Sequence, residues 1–512
     1  MQKKQTILVV ASLLVVVLSV TLAYFTAQII GKGKSVTINS ADLKIIFTDS
    51  DGSISGTNIE PGKWNVTKTF TIENKSNETY KYNIVIQDLL NTFVTEGYLQ
   101  YKITSTNGGY NMTKFKDVPK SETATDTILA YSVSIPVGVT QSYTVEFIYK
   151  NDESVDQSED MGRKLSGTLF ITEGTEEPVT LLSQILNDNP ARSTRSNNNN
   201  GTNDFATPLT TTTTGTLFIS TESIAGSAPK EVYYYAGNTT NNWVKFANFY
   251  WRIIRTNHDE SIRLLYVGTN PDTTNGNIGE SAFNTSKNSP KYVGYKYGED
   301  TSLDTIRNNT TDSTIKTFID SWYQKNLTSY TKYLSTSAVY CNDRSEGTGQ
   351  TYNYASSPSS QFNFAPHYRM DTDTSGAKAN PSYNCTDIRD AFSVDNTSAK
   401  LDYPVSLMTA DEIAFAGGVA YQTMSTPYAW FSSNSAGSQV STHWWSLSPN
   451  SWFSSCSFMW SWIFDGLLLN GDGVDSSFAV RPAISLKSCT LYSTGNGTPE
   501  TPYEIVETDT GC

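Results

Sequence analysis

Few side chains in this chain have the type and spacing that a catalytic or metal site requires. The 512 residues include three histidines, His258, His367 and His443, and these lie far apart. Histidine is the commonest metal ligand and the usual general base near neutral pH, and it acts beside other convergent groups. The sequence therefore argues against a histidine-rich metal centre, and we predict no metal and no cofactor.

The adjacent acids Asp411 and Glu412 could act as a general acid and base, but a local structure explains them. With Thr409 they form a capping box, in which the threonine hydroxyl accepts from the third amide of a helix and Glu412 reaches back. Both acids are favoured at the positive, N-terminal end of the helix dipole. Gly417-Gly418 can adopt the left-handed backbone conformation that ends a helix. We expect structural roles for Thr409 and Glu412 rather than catalysis.

The run from Asn470 to Asp475 places oxygen-bearing side chains at positions that suggest a calcium loop. It lacks a bidentate glutamate at the proper distance and a second acidic run. A tight turn is therefore the favoured interpretation.

The five cysteines, Cys341, Cys385, Cys456, Cys489 and Cys512, contain no CxxC pair, which argues against a metal or thioredoxin-like site. Outside the cell, disulfides are the default state. We predict a bond between Cys341 and Cys385. A bond between Cys489 and Cys512 is possible and would leave Cys456 free; the odd number leaves at least one thiol unpaired within the chain.

Tryptophan is concentrated near the C-terminus, where five of the ten lie between Trp444 and Trp462 among phenylalanines and serines. No helical or strand period sorts these rings onto one face. Aromatic rings give large contact area at low entropy cost, and serine adapts its hydrogen bonds. We favour core positions for Trp444 and Trp445 and an exposed surface for the rest, the alternative being that these rings fill loops. The predicted ligand-binding residues are Trp452, Phe453, Phe458, Trp460, Trp462 and Phe464.

The charge balance excludes one class of partner. Lysine and arginine number 37 against 50 aspartates and glutamates, a net charge of −13. Binding to phosphate backbones requires a basic stripe, so we predict no nucleic acid partner. Only 17% of residues are charged while 12% are aromatic, which favours packed β-structure over charge-driven disorder.

The elements that would position these residues follow in order along the chain. Residues 1–34 contain an uncharged apolar run preceded by Lys3 and Lys4, which is typical of a membrane anchor or a cleaved signal peptide; the two remain open. Residues 35–175 alternate apolar and polar positions between turn signals and predict an antiparallel β-sandwich. Residues 176–228 include asparagine and threonine runs and predict a disordered linker with a short helix at 180–186.

Residues 229–508 predict an α+β domain. Two aromatic-aliphatic runs around residues 257–260 predict a hairpin, with Arg252, Arg255 and Arg263 on a polar face. Ser313 is placed to cap a helix. Its apolar stripe comprises Ile315, Phe318, Ile319, Trp322 and Tyr323.

Two parts of the chain resemble known families. The segment Ala23–Ala27, and Ile59–Lys63 followed by FTIENKSNETYKYNI, resemble the export signal and β-sandwich of Gram-positive biofilm-fibre and camelysin-type proteins. The second region resembles the bacterial surface domain of unknown function that is related to the formylglycine-generating-enzyme and C-type-lectin folds. Its motifs, in order, are FYWRIIRTNHDESIRLLY, STIKTFIDSWYQKNL, CNDRS, LDYPVSLMTADEIAFAGG, WWSLSP, AVRPAISL and GNGTPETPYEIV.

The second resemblance implies roles for several residues. It implies that Arg481 braces the loops, although Ala479 replaces the glycine more usual there. Copper-dependent oxidases of that superfamily use two closely spaced cysteines, whereas Cys456 and Cys489 lie 33 positions apart, so that chemistry is not carried over. Other members vary their ligand face through diversity-generating retroelements, and Asn450–Leu469 occupies the corresponding position.

We therefore expect a mainly β, multidomain, non-enzymatic surface protein that is exported and is secreted or tethered to the membrane by its N-terminal helix. Its lectin-like domain would bind an extracellular glycan or protein. The alternatives are a structural fibre subunit and, less favoured, a copper-dependent oxidase.

Overall fold

The computed structural model describes residues 35–38, 43–47, 52–55, 59–195, 205, 208–209, 216–271, 276–350, 361–370, 379–421, 443–462, 470–508 and 511–512. Within these ranges the protein is mainly β-structure in several sheets. The chain divides into two compact units, Met1–Glu177 and Pro178–Cys512. No helix in the described ranges is both long and apolar enough to cross a bilayer. The predicted signal or anchor segment, 1–34, lies outside them.

The first unit consists of antiparallel sheets around one core. Its strands are Ser35–Ile38 (β1), Leu43–Phe47 (β2), Ser53–Ser55 (β3), Asn65–Asn74 (β4), Tyr80–Asn91 (β5), Leu99–Ser105 (β6), Lys116–Asp117 (β7), Ser121–Ile135 (β8), Thr140–Tyr149 (β9) and Leu165–Glu173 (β10). One sheet has the order β1-β2-β4-β9-β6-β7 and the other β3-β10-β5-β8. Val145 of one sheet and Leu169 of the other are buried in the same core, which is the arrangement of the predicted β-sandwich.

The second unit mixes short helices with many strands. Its helices are Leu181–Asp188 (α1), Leu303–Ile306 (α2), Thr314–Asn326 (α3), Ala365–Met370 (α4) and Ala410–Ala416 (α5), with 3-10 turns at Pro290–Val293 and Thr328–Tyr333. Its first strands are Ser193–Thr194 (β11), Thr216–Glu222 (β12), Lys230–Ala236 (β13), Trp243–Phe246 (β14), Phe249–Thr256 (β15), Ile262–Gly268 (β16), Glu280–Ser281 (β17), Lys296–Tyr297 (β18), Thr311–Asp312 (β19) and Tyr340–Cys341 (β20). The later ones are Phe362–Asn363 (β21), Ala391–Phe392 (β22), Val405–Leu407 (β23), Trp444–Phe453 (β24), Cys456–Trp462 (β25), Asn470–Gly473 (β26), Phe478–Ala479 (β27), Pro482–Leu486 (β28), Tyr492–Thr494 (β29) and Tyr503–Ile505 (β30).

Two large sheets organise this unit. In the first, the described strands run β11-β12-β13-β15-β14-β30-β29, and β16, β28 and β23 continue the pairing from β15. In the second they run β17-β27-β24-β25-β26, with β21 beside β24. Both sheets and helices α1, α3 and α5 contribute side chains to one buried apolar cluster. The two sheets therefore share one hydrophobic core.

The short helix predicted at 180–186 forms as α1, whereas the prediction of a disordered linker over 176–228 is wrong at β12. Helix α1 buries Leu181 and Ile185 in the core of the second unit. Strand β12 pairs with β13 along its whole length. The spacing of four residues between Leu181 and Ile185 is enough to bury one face of α1. The asparagine run at 197–200 and the threonine run at 210–214 lie outside the described residues.

Several local predictions are confirmed. The hairpin forms from β15 and β16, and α3 begins after Ser313, whose hydroxyl accepts from the amide of Lys316 at 3.2 Å. The Thr409 hydroxyl accepts from the Glu412 amide at 3.1 Å, and the Glu412 carboxylate accepts from the Thr409 amide at 2.9 Å. Helix α5 then ends at Gly417, whose φ of 125° favours glycine.

Two disulfides cross-link the second unit. Cys341 is bonded to Cys385, as predicted, and Cys489 is bonded to Cys512. Cys456 is free. Disulfides of this kind persist in oxidising surroundings, which agrees with a location outside the cytosol.

Candidate ligand-binding site at a β-hairpin tip

The tryptophan-rich segment forms an antiparallel hairpin of β24 and β25. Phe453 pairs with Cys456, so Ser454 and Ser455 are the two residues of the turn. Their φ angles are 51° and 61°, the left-handed region at both positions. Such a turn matches the twist of the flanking strands, and asparagine or glycine usually occupies it. Serine at both positions carries a conformational cost, which the surrounding sheet must offset.

The expected exposure of the aromatic residues is wrong for three of them. Trp452, Trp460 and Trp462 retain 3%, 0% and 1% of their accessible surface. From Met459 to Trp462 every residue of β25 is buried, so this part of the strand is covered on both faces. A strand covered on both faces shows no alternation, and this is why no period could be found in its sequence. Trp444 and Trp445 are buried, as predicted.

Two serines of the hairpin form hydrogen bonds in the interior of the second unit. The Ser457 hydroxyl donates to the carbonyl of Ser289 at 2.6 Å, and the Ser461 hydroxyl donates to the carboxylate of Asp472. Both serines are fully buried. Their hydroxyls satisfy buried acceptors, so they are not the adaptable surface donors that the composition suggested.

The accessible remainder is a compact tip, which we define as Phe453, Ser454, Ser455, Cys456 and Phe458. Phe453 is 48% exposed, and the two serines are exposed as well. Cys456 and Phe458 are half-buried. Of the six predicted ligand-binding residues, the structure thus leaves two at this surface, while Phe464 lies outside the described residues.

An ion pair that the sequence did not indicate borders the tip. Lys287 Nζ lies 2.8 Å from Asp475 Oδ2. The carbonyl of Lys287 accepts from the amide of Ser457 at 2.9 Å, which fixes this loop against β25. Asp475 belongs to the motif considered for calcium, but Lys287 is an isolated surface lysine and offered no signal in the sequence.

The surroundings of Cys456 favour its neutral thiol, mainly through burial. Burial raises the pKa of the Cys456 thiol, Asp475 raises it further, and Lys287 opposes them. The hydrogen bond to Asp475 raises the pKa of Lys287. A thiol with a raised pKa is a weak nucleophile at neutral pH, so the tip is suited to contact rather than to covalent chemistry.

The hairpin rests on a packed support. The ring of His367 in α4 stacks on Trp460 with 5.6 Å between centroids, and His367 Nδ1 lies 3.2 Å from Asn450 Oδ1. The carbonyl of Asn450 accepts from the amide of Phe364 at 3.0 Å. These contacts join β24, β25 and α4, so the tip projects from a rigid base.

The calcium interpretation fails on geometry. Asn470–Gly473 forms strand β26 rather than the predicted tight turn, and the turn follows at residues 474–475. Asp472 accepts from Ser461 while Asp475 pairs with Lys287, so their carboxylates do not converge. In the described part of the chain one acidic triad is close enough to hold a metal: Asp312, Asp320 and Asp402. The Lys316 ammonium already lies among these carboxylates, at 3.2, 2.5 and 2.6 Å.

Behind the hairpin, buried ion pairs account for the charged residues of the motifs. Glu412 Oε1 lies 2.7 Å from Arg255 Nε and 2.6 Å from an Arg263 nitrogen, and Glu222 binds Arg255 through both oxygens. The predicted polar strand face is wrong, because Arg252, Arg255 and Arg263 are all buried. Asp411 binds Arg369 with both oxygens.

Arg481 is buried against a tryptophan ring and a backbone carbonyl. Its guanidinium carbon lies 5.2 Å from the ring centroid of Trp444, and Nη2 donates to the carbonyl of Tyr266 at 3.2 Å. Burial lowers the pKa of Arg481 to about 9. This side chain links the strand region before β28 to both large sheets, which is a structural role.

No protein-family model matches this chain, and no curated protein matches it.

Proposed function

We propose that this chain is an exported, non-enzymatic surface protein that binds or adheres to an extracellular ligand through the tip of its second unit. The observation that carries the proposal is Phe453, a large ring left 48% exposed beside a two-residue turn on a rigid hairpin. Aromatic anchors of this kind dominate the energetics of binding surfaces. A rigid base reduces the entropy lost on binding.

The composition of the tip supports this role. Ser454 and Ser455 offer hydroxyls and backbone groups beside the ring, and the Lys287–Asp475 pair supplies both signs of charge at the border. An exposed apolar centre with a polar rim is the usual arrangement of protein interfaces. Phe458 extends the apolar surface along β25.

The proposal includes a lectin-like fold for the second unit and a stalk role for the sandwich. Two large sheets with short helices around one core are consistent with the α+β class that the sequence motifs suggested. The tip lies within Asn450–Leu469, the segment for which we propose sequence variation. Near-repeat template DNA and a reverse transcriptase gene beside this gene would support that variation, and their absence would contradict it.

Export is supported by the two disulfides and by the apolar residues near the N-terminus. The extracellular face of the membrane, or secretion, is the proposed location. The membrane itself would be contacted through residues 1–34.

The copper-dependent oxidase is the weaker alternative. That chemistry uses two neighbouring thiols, and here Cys489 is bonded to Cys512 while Cys456 is free. A fibre subunit remains the second candidate, because the sequence of the first unit resembles that of the β-sandwich in biofilm-fibre proteins. An apparent molecular mass, measured by light scattering, that rises with protein concentration would favour the fibre.

The test compares beads carrying the full chain with beads carrying Phe453→Ser, on a panel of bacterial and animal cells. Val506→Ser is the matched control, since Val506 is 38% exposed in the same unit and lies outside the tip. We expect Phe453→Ser to reduce bead adhesion by about tenfold, as for an anchor residue, and Val506→Ser to leave it unchanged. Adhesion that is equal for all three proteins, or absent for the parent, would refute the proposal.

A further inference from the structure

A cleft of about 590 Å³ lies at the start of helix α3, outside the tip. This open cleft is bordered by the loop from Ser281 to Ser286, by Tyr292 and Tyr297, and by the first turns of α3 as far as Ser321. None of the residues that define the tip lines it. Its volume is within the range of small-molecule sites, roughly 300–1,000 Å³.

The walls of the cleft are fixed by internal hydrogen bonds. Asn284 donates to the carbonyl of Tyr292 at 2.7 Å and accepts from the amide of Thr314 at 3.2 Å. The Thr314 hydroxyl accepts from the amide of Thr285 at 3.2 Å. Three chain segments are thereby tied to each other, so the cleft is preformed.

The lining combines hydroxyl groups with aromatic rings. Seven serine and threonine side chains line the cleft, together with the rings of Tyr292, Tyr297 and Phe318. Hydroxyls can donate and accept, and aromatic rings offer apolar area. A ligand that fits this lining presents hydroxyl groups on its edges and C–H groups on its faces.

The charges argue against an ionic ligand. Among the described residues, the charged side chain in the lining is Asp312, and its ion pairs leave no unpaired charge there to attract an ionic ligand. Asp312 is already paired with Lys296 at 3.1 Å and with Lys316 at 3.2 Å. The rings of Tyr292 and Tyr297 already face the ammonium of Lys291, at 5.5 and 5.8 Å from their centroids. A cationic ligand at these rings would place a second positive charge near Lys291, whereas a neutral ligand would not.

We infer that this cleft binds a neutral oligosaccharide. The Thr317 and Ser321 hydroxyls donate to the carbonyls of Ser313 and Thr317, so at the rim they would accept hydrogen bonds from sugar hydroxyls. The Ser286 hydroxyl would also bond to the sugar, and the C–H face of a pyranose ring would pack on the tyrosine rings and Phe318. Binding in the cleft is independent of the proposed role of the tip, because the two sites share no residue.

The experiment measures calorimetric binding of cellotetraose, maltotetraose and N-acetylchitotetraose to the full chain at millimolar concentrations. Ser321→Trp places a large ring in the cleft from an exposed position of α3. Lys325→Trp is the matched control, since Lys325 is exposed on the same helix and does not line the cleft. Phe453→Ser tests independence from the tip.

We expect at least one of these sugars to bind, a loss of about tenfold or more with Ser321→Trp, and a change of less than about twofold with Lys325→Trp and Phe453→Ser. Absence of binding by all three sugars would overturn the inference, as would binding that Ser321→Trp leaves intact. Sugar binding that is lost with Phe453→Ser would overturn it too, because the ligand would then occupy the tip. Loss of cell adhesion by Phe453→Ser alone bears on the proposed function and not on the cleft.

Discussion

Arg263 and Glu412 lie 149 positions apart in the sequence and meet with 2.6 Å between guanidinium nitrogen and carboxylate oxygen, both side chains being almost fully buried. Arg255 contacts the same oxygen at 2.7 Å. Removing this carboxylate would leave the buried Arg263 without its paired acid, while Arg255 would keep its pair with Glu222. The stability of the second unit therefore depends on this carboxylate.

We predict that Glu412→Gln lowers the free energy of unfolding by about 3–5 kcal/mol, the usual cost of breaking a buried ion pair. Urea denaturation followed by tryptophan fluorescence measures it, since nine of the ten tryptophans lie in the second unit. Glu504→Gln is the control. Its ion pair with Lys245 is 3.4 Å long, and the Lys245 and Glu504 side chains are 47% and 43% exposed. We therefore expect this variant to lower the free energy of unfolding by less than about 1 kcal/mol. Equal effects of the two variants would contradict the proposed dependence on Glu412.

The second unit should lose stability in acid through Glu222. Burial alone would raise the pKa of Glu222, but the charge of Arg255 and the hydrogen bond from His258 lower it from 4.5 to about 2. A lowered folded-state pKa contributes stability that is complete above the unfolded value and is lost as the pH falls from about 4.5 to about 2. We expect Glu222→Gln to flatten the pH dependence of the urea midpoint over this interval. A slope equal to that of the parent would show that Glu222 is not responsible.

Trp460 should behave as a core residue. Because it is 0% exposed and stacked on His367, Trp460→Ala is expected to cost about 3–5 kcal/mol, whereas Phe453→Ser should change stability by no more than about 0.5 kcal/mol. Calorimetric melting of both variants provides the measurement. If Trp460→Ala melts like the parent, the ring is exposed in solution and belongs to a binding surface instead.

Cys456 should be the cysteine that alkylating reagents modify when the disulfides have not been reduced. Its raised pKa predicts slow reaction with iodoacetamide at neutral pH and faster reaction as the pH is raised. Asp475→Asn removes a charge that raises this pKa, so labelling should accelerate at a given pH, and Lys287→Gln should slow it. Mass spectrometry counts and locates the labels. Modification of Cys489 or Cys341 under the same conditions would mean that the disulfides are not formed.

Features that depend on neighbouring residues could be predicted from the sequence. The capping box of Thr409 and Glu412, the stripe of α3 and the β15–β16 hairpin are each determined by spacings of a few residues. Helix caps and turns obey local steric and hydrogen-bonding rules, so their residue types are informative on their own. The alternation of apolar and polar residues in β9 was sufficient to indicate a sandwich, because one face of its sheet is buried and the other is solvated.

The exposure of the aromatic segment could not be predicted in this way. Trp452, Trp460 and Trp462 have the composition of a binding surface and lie in the core, because other parts of the second unit cover both faces of their hairpin. Whether a strand is covered on one face or two depends on segments distant in the chain. The same holds for Glu222, Arg255 and Glu412, whose separations of 33 and 157 positions give no local signal.

The sequence alone thus determined the local elements and the export-like composition, since these follow from short-range spacing and from the chemistry of residue types. Only the tertiary structure decided which rings are exposed, which charges are paired, and that Phe453 stands at the tip while Tyr292, Tyr297 and Phe318 line a cleft. The physical reason is that burial and ion pairing are properties of packed surfaces, and packing joins residues that the sequence keeps far apart.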